Sequence, residues 1–208
     1  MSEKQIAIVP MTQVHVPDVV AAHIASFPEA FLTFLGQRFL TVLYGGAITS
    51  PYGLGVVAVD QENREQTVAG FAVGMLNPAA FYRGLLREQG WRFAWAALHG
   101  VARRPQIIAR LLRARRYPAE TPRDERTVTL GSIGVRPEYR RCGLGSRLVQ
   151  GFLELAQARG ARQVNLTTDA ANNEAVNAFY GRLGFICTHS FCTPEGRYMQ
   201  EYQIDLRP

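Results

Sequence analysis

The sequence predicts an α/β fold: a mixed central sheet flanked by helices, with a helical insertion between the third and fourth strands. Three observations carry this reading. Short apolar runs of strand character alternate with longer stretches whose apolar residues recur at helical spacing. A glycine-bearing strand, Thr127–Val135, feeds through the tight loop Arg140–Gly145 straight into an amphipathic helix. An arginine-rich segment, residues 77–126, then stands apart from the alternation on either side of it.

Taken in order, Gln5–Val9 alternates and reads as the first strand, closed by Pro10. Pro17-Asp18 opens a helix in which Val19, Val20, His23, Ile24 and Phe27 fall near a period of 3.6, and Pro28 interrupts it. Phe31–Ile48 reads as a second helix, with Phe31, Leu32, Leu35, Phe39, Val42 and Leu43 as its buried stripe and Gly45-Gly46 weakening its end. After the turn signal Ser50-Pro51-Tyr52-Gly53, Val56–Val59 and Val68–Leu76 form a hairpin around the polar Asp60–Gln66 turn. Asn77-Pro78 ends that strand. Inside the insertion, Phe81–Gln89 reads as a short helix. Trp91, Trp95, Leu98 and Ala102 share one helical face, and Ile107, Ile108, Leu111 and Leu112 share another, so two or three helices are expected, punctuated by Pro105 and Pro118. Thr121–Glu125 reads as the return loop.

Beyond the organising strand and loop, Leu148, Val149, Phe152, Leu153 and Leu155 mark the buried face of a helix that Gly160 terminates. Val164–Thr168 is a strand. Asn172 or Asn173 caps a helix holding Val176, Phe179, Tyr180 and Leu183, which ends at Gly184. Phe185–His189 and Tyr198–Leu206 close the chain as two strands around Thr193-Pro194-Glu195-Gly196. Neither repeats nor a linker interrupt the chain, and residues 1–208 read as one domain.

Composition narrows the class. Hydrophobic residues make up 47% of the chain and charged residues 19%, as in a folded water-facing domain. Met1–Pro10 lacks the apolar core of a secretory signal, and Phe93–Val101 is too short to span a bilayer. Cys142, Cys187 and Cys192 have no metal-ligand spacing, so no metal site is expected, and they read as reduced thiols of a cytoplasmic protein. The net charge of +6 is concentrated: residues 77–126 hold eleven arginines against four acids, leaving about −1 for the remainder.

The chemistry centres on Thr127–Leu148. Gly131 and Gly134 break the strand alternation and suggest a bulge or a close backbone approach. Backbone N–H groups at the start of the following helix, and its dipole, make an anion site, with Arg140 and Arg141 adding charge beside it. A phosphate or pyrophosphate is the natural guest. No Lys-Ser/Thr follows the second glycine, which excludes a P-loop, and no third glycine follows, which excludes a dinucleotide fingerprint.

Val135, Pro137, Arg140, Gly143 and Gly145 resemble the Val-x-Pro-x-x-Arg/Gln-x-x-Gly-x-Gly coenzyme A pattern of the GCN5-related N-acetyltransferase (GNAT) family. A second block in the same order, Asn173, Phe179-Tyr180 and Leu183-Gly184-Phe185, resembles that family's other signature. The resemblance implies a GNAT-like sheet and acetyl-CoA as cosubstrate. It implies that backbone donors of Arg141, Cys142, Gly143, Leu144, Gly145 and Ser146 hold the pyrophosphate, against the plain alternative of a strand-to-helix turn. It implies that Ile133, Gly134 and Val135 pair with the pantetheine arm, with Gly134 at the bulge where the strand splays. Tyr180, seven residues after Asn173, is implied as general acid to the leaving thiolate; packing against the core is its alternative. Asn173 serves as both cap and cofactor contact.

The general base is less legible. In the branch that acetylates protein N-termini a glutamate occupies the position aligned with Thr168, and threonine is no base. Asp169, Glu29, His23 and His99 are the other candidates, and a water chain is another route. The expected reaction is direct acetyl transfer to a primary amine, first of a small molecule such as an amino sugar and second of a protein. The rival reading is an acyl-CoA sensor or a catalytically inactive interaction module. The basic insertion reads as a solvated helical face, as a lid favouring a phosphorylated acceptor, or as a membrane-surface helix through Trp91 and Trp95. Nucleic acid is not an expected partner, since no binding motif accompanies the charge; a homodimer stays open.

Overall fold

A computed structural model describes residues 5–62, 67–103, 126–193 and 196–206. Among the described residues, seven strands form one sheet: β1 (Ile6–Pro10), β2 (Gly53–Asp60), β3 (Val68–Met75), β4 (Thr127–Val135), β5 (Gln163–Asp169), β6 (Ile186–Cys192) and β7 (Tyr198–Asp205). Their order across the sheet is β1-β2-β3-β4-β5-β7-β6. Neighbours are antiparallel except β4 and β5, which run parallel. The seven strands fall along the chain where they were expected.

β2 and β3 are buried along their whole length because helices cover both faces, which is why they read as nearly continuous apolar runs rather than alternating ones. On one face Val57, Val59, Val68, Phe71 and Val73 pack under α1 (Val16–Ser26) and α3 (Gln37–Thr49). On the other, Leu54, Val56, Ala58, Ala69 and Ala72 pack under α5 (Leu144–Ala158). Leu144, Leu148, Val149, Phe152, Leu153 and Ala156 of α5 are the buried stripe, at the spacing of a helix seated on a sheet. Leu155, placed in that stripe by the sequence, only flanks the cluster. Phe152 is fully buried, a position where truncation to alanine costs about 3–5 kcal/mol.

Two helix expectations are corrected. Phe31–Ile48 is not one helix. The short α2 (Phe31–Phe34) stops at Leu35, which is buried, and Gly36 takes φ +92 before α3 begins. That left-handed turn lets Leu35 enter the core while α3 restarts at a new angle. In the insertion, Phe81–Gln89 and the Trp91 face are not separate helices: α4 runs unbroken from Pro78 to Arg103. Gly90 does not break it, because a single glycine costs only about 1 kcal/mol in a helix interior. Phe81 and Leu85 anchor its first turns in the α1/α3 core. The expected second face, Ile107–Leu112, and the return loop lie outside the described residues. Among those described, no helix is long and apolar enough to cross a membrane.

Candidate active site

The site grows from a parting in the sheet. β4 has nine residues, yet it pairs with β5 only through Thr127–Thr129 against Gln163–Asn165. From Leu130 onward β4 keeps β3 on one side, and β5 from Leu166 to Asp169 pairs with β7. The two strands diverge into a wedge. Val73 faces Ser132 while Gly74 faces Leu130, so Gly131 is the extra residue of a bulge. The bulge was expected at Gly134, which instead pairs regularly with Phe71. Gly134 answers a packing demand: a Cβ there would lie 2.8 Å from Phe71 Cε1 and 3.1 Å from Phe27 Cε2.

The wedge exposes a ready-made ladder. Arg136 N donates to Ala69 O, and bonded and non-bonded pairs alternate along an antiparallel ladder. Ser132 and Gly134 therefore turn their backbone groups toward β3, and Ile133 and Val135 turn theirs toward the open side. Val135 O accepts from Arg140 Nε at 3.2 Å. Among the described residues, no strand pairs with the N–H of Val135 or with either backbone group of Ile133.

Past Val135 the chain makes one tight turn at Pro137–Tyr139 and enters α5 through Gly143, at φ +75. The first bond within α5 is Arg147 N to Gly143 O. The N–H groups of Gly143, Leu144, Gly145 and Ser146 thus have no acceptor inside the helix and face outward at its positive end. Arg141 also adopts the left-handed conformation, at φ 64, which costs a side-chain-bearing residue about 1–2 kcal/mol. Several bonds hold the loop in that shape. Arg140 Nη2 donates to Ser26 O at 3.3 Å, Cys142 Sγ donates to Tyr139 O at 2.9 Å, and Tyr139 Oη donates to Asp60 Oδ2 at 2.8 Å. Arg140 and Arg141 are both exposed, and Arg140, read from the sequence as charge for the anion, also pins the loop to β4 and α1.

The other wall is the end of β5 with α6 (Glu174–Arg182). Asn173 stands at the cap position, but its side chain makes no capping bond. Instead Nδ2 donates back to Thr168 Oγ1 at 2.8 Å and to Asp169 O at 2.9 Å, fastening the helix start to the strand end. The two sequence blocks meet in space: a Cβ on Gly145 would stand 3.5 Å from the Phe179 ring, so α6 sits beside the start of α5. Tyr180 is 6% exposed and packs among Phe179, Phe185 and Tyr202. Burial raises its hydroxyl to about 12, so it stays protonated at any physiological pH.

The candidate bases separate clearly. Thr168 is bonded by Asn173. Asp169 is held by the Arg197 guanidinium at 2.7–3.1 Å. Glu29 is exposed on the connection after α1. The side chain of His99 lies outside what is described. His23 is 2% exposed, bonds Tyr44 Oη through Nδ1 at 2.7 Å, and burial lowers its pKa to about 4. Tyr44, Ser132, Tyr139 and Asp60 were not anticipated. The one sequence signal for Asp60 is an acid closing an otherwise apolar strand.

A family model described as Acetyltransferase (GNAT) family matches residues 29–185. N-alpha-acetyltransferase 30 of Schizosaccharomyces pombe is 38% identical over 56 residues, 27% of this chain and 37% of that protein, so the match spans little more than a third of that relative. Among solved structures, Arabidopsis thaliana NAA60 in complex with acetyl-CoA aligns with a TM-score of 0.59 at 14% identity, over 97% of this chain and 99% of that one. Aminoglycoside 6'-acetyltransferase type Ii aligns with a TM-score of 0.62 at 15% identity, over 97% and 98%. At such identities the structural likeness is one of fold.

Proposed function

The chain belongs to the acetyltransferase (GNAT) family, an N-acetyltransferase with acetyl-CoA as cosubstrate, and on that premise we propose that it transfers the acetyl group directly to a primary amine of a small molecule such as an amino sugar. The observation that carries the cofactor pose is the open edge of β4 leading into the start of α5. In this reading the pyrophosphate sits on the N–H groups from Arg141 to Ser146. The pantetheine arm runs back along β4 as a pseudo-strand, bonding Ile133 and Val135. Asn173 and Tyr180 close the other side.

The amine attacks the thioester carbonyl, the tetrahedral intermediate collapses with cleavage of the C–S bond, Tyr180 gives its proton to the departing thiolate, and the proton shed by the amine nitrogen leaves through water, from which Tyr180 is reprotonated. A phenol kept protonated by burial suits that task. The amine arrives neutral, because Thr168 and Asp169 are engaged elsewhere and His23 is too weak a base. Direct transfer is favoured over a covalent acetyl-cysteine, since Cys187 lies out on the exposed edge strand β6. The partial match to N-alpha-acetyltransferase 30 favours a protein α-amine as second acceptor.

The test is coenzyme A release from acetyl-CoA across amino sugars and their nucleotide conjugates, polyamines, amino acids and short peptides. Turnover confined to the small amines supports this reading. Turnover with peptides alone replaces it with protein acetylation. Accumulation of acetylated enzyme without acceptor overturns direct transfer.

A further inference from the structure

Three side chains from three elements make a buried polar chain beside the wedge. His23 of α1 bonds Tyr44 of α3 at 2.7 Å, and Tyr44 Oη donates to Ser132 of β4 at 3.3 Å. His23 and Tyr44 are 2% exposed, whereas Ser132 is only half-buried. The chain therefore runs from the core of the α1/α3 layer outward to the strand that walls the wedge. We propose that Ser132 is a catalytic residue that donates its hydroxyl hydrogen to the thioester carbonyl oxygen of acetyl-CoA, with Tyr44 and His23 as positioning residues behind it. This rests on the cofactor pose proposed above.

The direction of the chain follows from counting hydrogens. A phenol has one hydrogen to give and a neutral imidazole has one N–H. Among the described residues, His23 Nε2 is buried without a partner, and an unmet buried N–H is a rarer defect than an unmet lone pair. The hydrogen therefore sits on Nδ1, which donates to Tyr44 Oη. Tyr44, its acceptor site filled, gives its hydrogen to Ser132. Ser132, already accepting, has its own hydrogen free to point into the wedge. Each link polarises the next, and the imidazole stays neutral down to about pH 4, so the direction persists across the working range.

The position follows from the strand. From the loop, the arm meets Val135 and then Ile133 on its way back along β4. Each residue advances it about 3.3 Å, so the thioester arrives beside Ser132 and the bulge at Gly131. Bulges locally bend a strand and re-aim its side chains. When the amine nitrogen bonds to the carbonyl carbon, the carbonyl electron pair moves onto oxygen, where Ser132 Oγ–H meets it. Collapse restores C=O and breaks C–S. Ser132 keeps its hydrogen throughout.

The decisive experiment reads the carbonyl itself. Acetyl-CoA isotopically labelled at the carbonyl carbon is bound to the full chain, its stretching band is recorded by difference infrared spectroscopy, and affinity is measured by calorimetry. The expected result is a shift to lower frequency in the native protein. That shift is lost in Ser132→Ala at unchanged affinity, reduced in Tyr44→Phe and retained in Ser132→Thr. With a responsive acceptor, Ser132→Ala lowers kcat about 100-fold while KM for acetyl-CoA holds. Binding with no shift in the native protein, or a full shift in Ser132→Ala, overturns this assignment alone. Failure of the native protein to bind acetyl-CoA overturns the cofactor pose and this assignment with it. A purely structural role for the chain would move the melting temperature and leave the band in place.

Discussion

Tyr139 Oη donates to Asp60 Oδ2 at 2.8 Å across 79 residues of chain, and this bond fastens the loop before α5 to the far end of β2. Asp60 is 4% exposed, and its other oxygen accepts from Glu62 N. Neither residue carries a family motif, yet the loop's shape depends on the pair. Tyr139→Phe leaves a buried carboxylate short of a donor, which costs about 1–3 kcal/mol. The expected outcome is a lower urea midpoint together with weaker acetyl-CoA binding by calorimetry. Unchanged affinity would show that the loop keeps its shape without the tie.

Stability should fall at both ends of the pH scale for identifiable reasons. His23 titrates at about 4 when folded against 6.5 as a free group. The folded protein excludes a proton that the unfolded chain binds, so stability is full above pH 6.5 and declines as pH falls through about 4. The neighbours behind this are Tyr44 on α3, Phe71 on β3 and Phe27 at the end of α1. At the alkaline end Tyr139 and Tyr180 are both raised from 10.0 to about 12, by burial first and, for Tyr139, by its bond to Asp60. Their contribution is full below pH 10 and lost as pH rises through about 12. Unfolding midpoints across pH check both limbs, and His23→Phe should flatten the acid limb.

Tyr180→Phe should lower kcat by about 100-fold or more, the scale of a lost general acid. Acetyl-CoA affinity and melting temperature should change little, because a phenylalanine ring keeps the contacts with Phe179, Phe185 and Tyr202. A variant of undiminished turnover would return Tyr180 to the core.

Gly134→Ala should destabilise the fold by about 1–3 kcal/mol through overpacking. The new methyl would press on Phe71 and Phe27, the rings that enclose His23. Thermal denaturation measures the loss. A neutral outcome would mean both rings can move aside.

The pH dependence of turnover separates the amine from the enzyme. With no strong base assigned, kcat/KM should climb with pH and level off at the acceptor's own pKa. Two acceptors of different basicity should therefore give displaced profiles. A common inflection for both would assign the base to the protein.

Local chemistry explains what could be read without the fold. Leu144 to Ala156 reads as amphipathic because one side of α5 lies on the sheet, and that periodicity is written in the residues themselves. The loop from Arg140 to Gly145 is legible for the same reason: strand, glycines and helix start follow one another in sequence, so the anion site is local. Phe31–Ile48 misread as one helix because Gly36 looks tolerable until the burial of Leu35 requires a turn. Gly131 and Gly134 look alike in sequence, and only pairing with β3 tells the bulge from the close contact.

By itself the sequence determined the family, the order of the strands along the chain, and the backbone character of the loop into α5, because each rests on residues that are neighbours along the chain. Tertiary structure alone decided that β4 parts from β5 after Thr129, that Asn173 bonds backward to Thr168, that Tyr139 finds Asp60, and that His23 reaches Ser132 through Tyr44. Most of these partners are distant in sequence, and all of them meet only when helices are laid on both faces of a twisted sheet. Side-chain hydrogen bonds carry no periodic signature, so packing, not pattern, selects their partners.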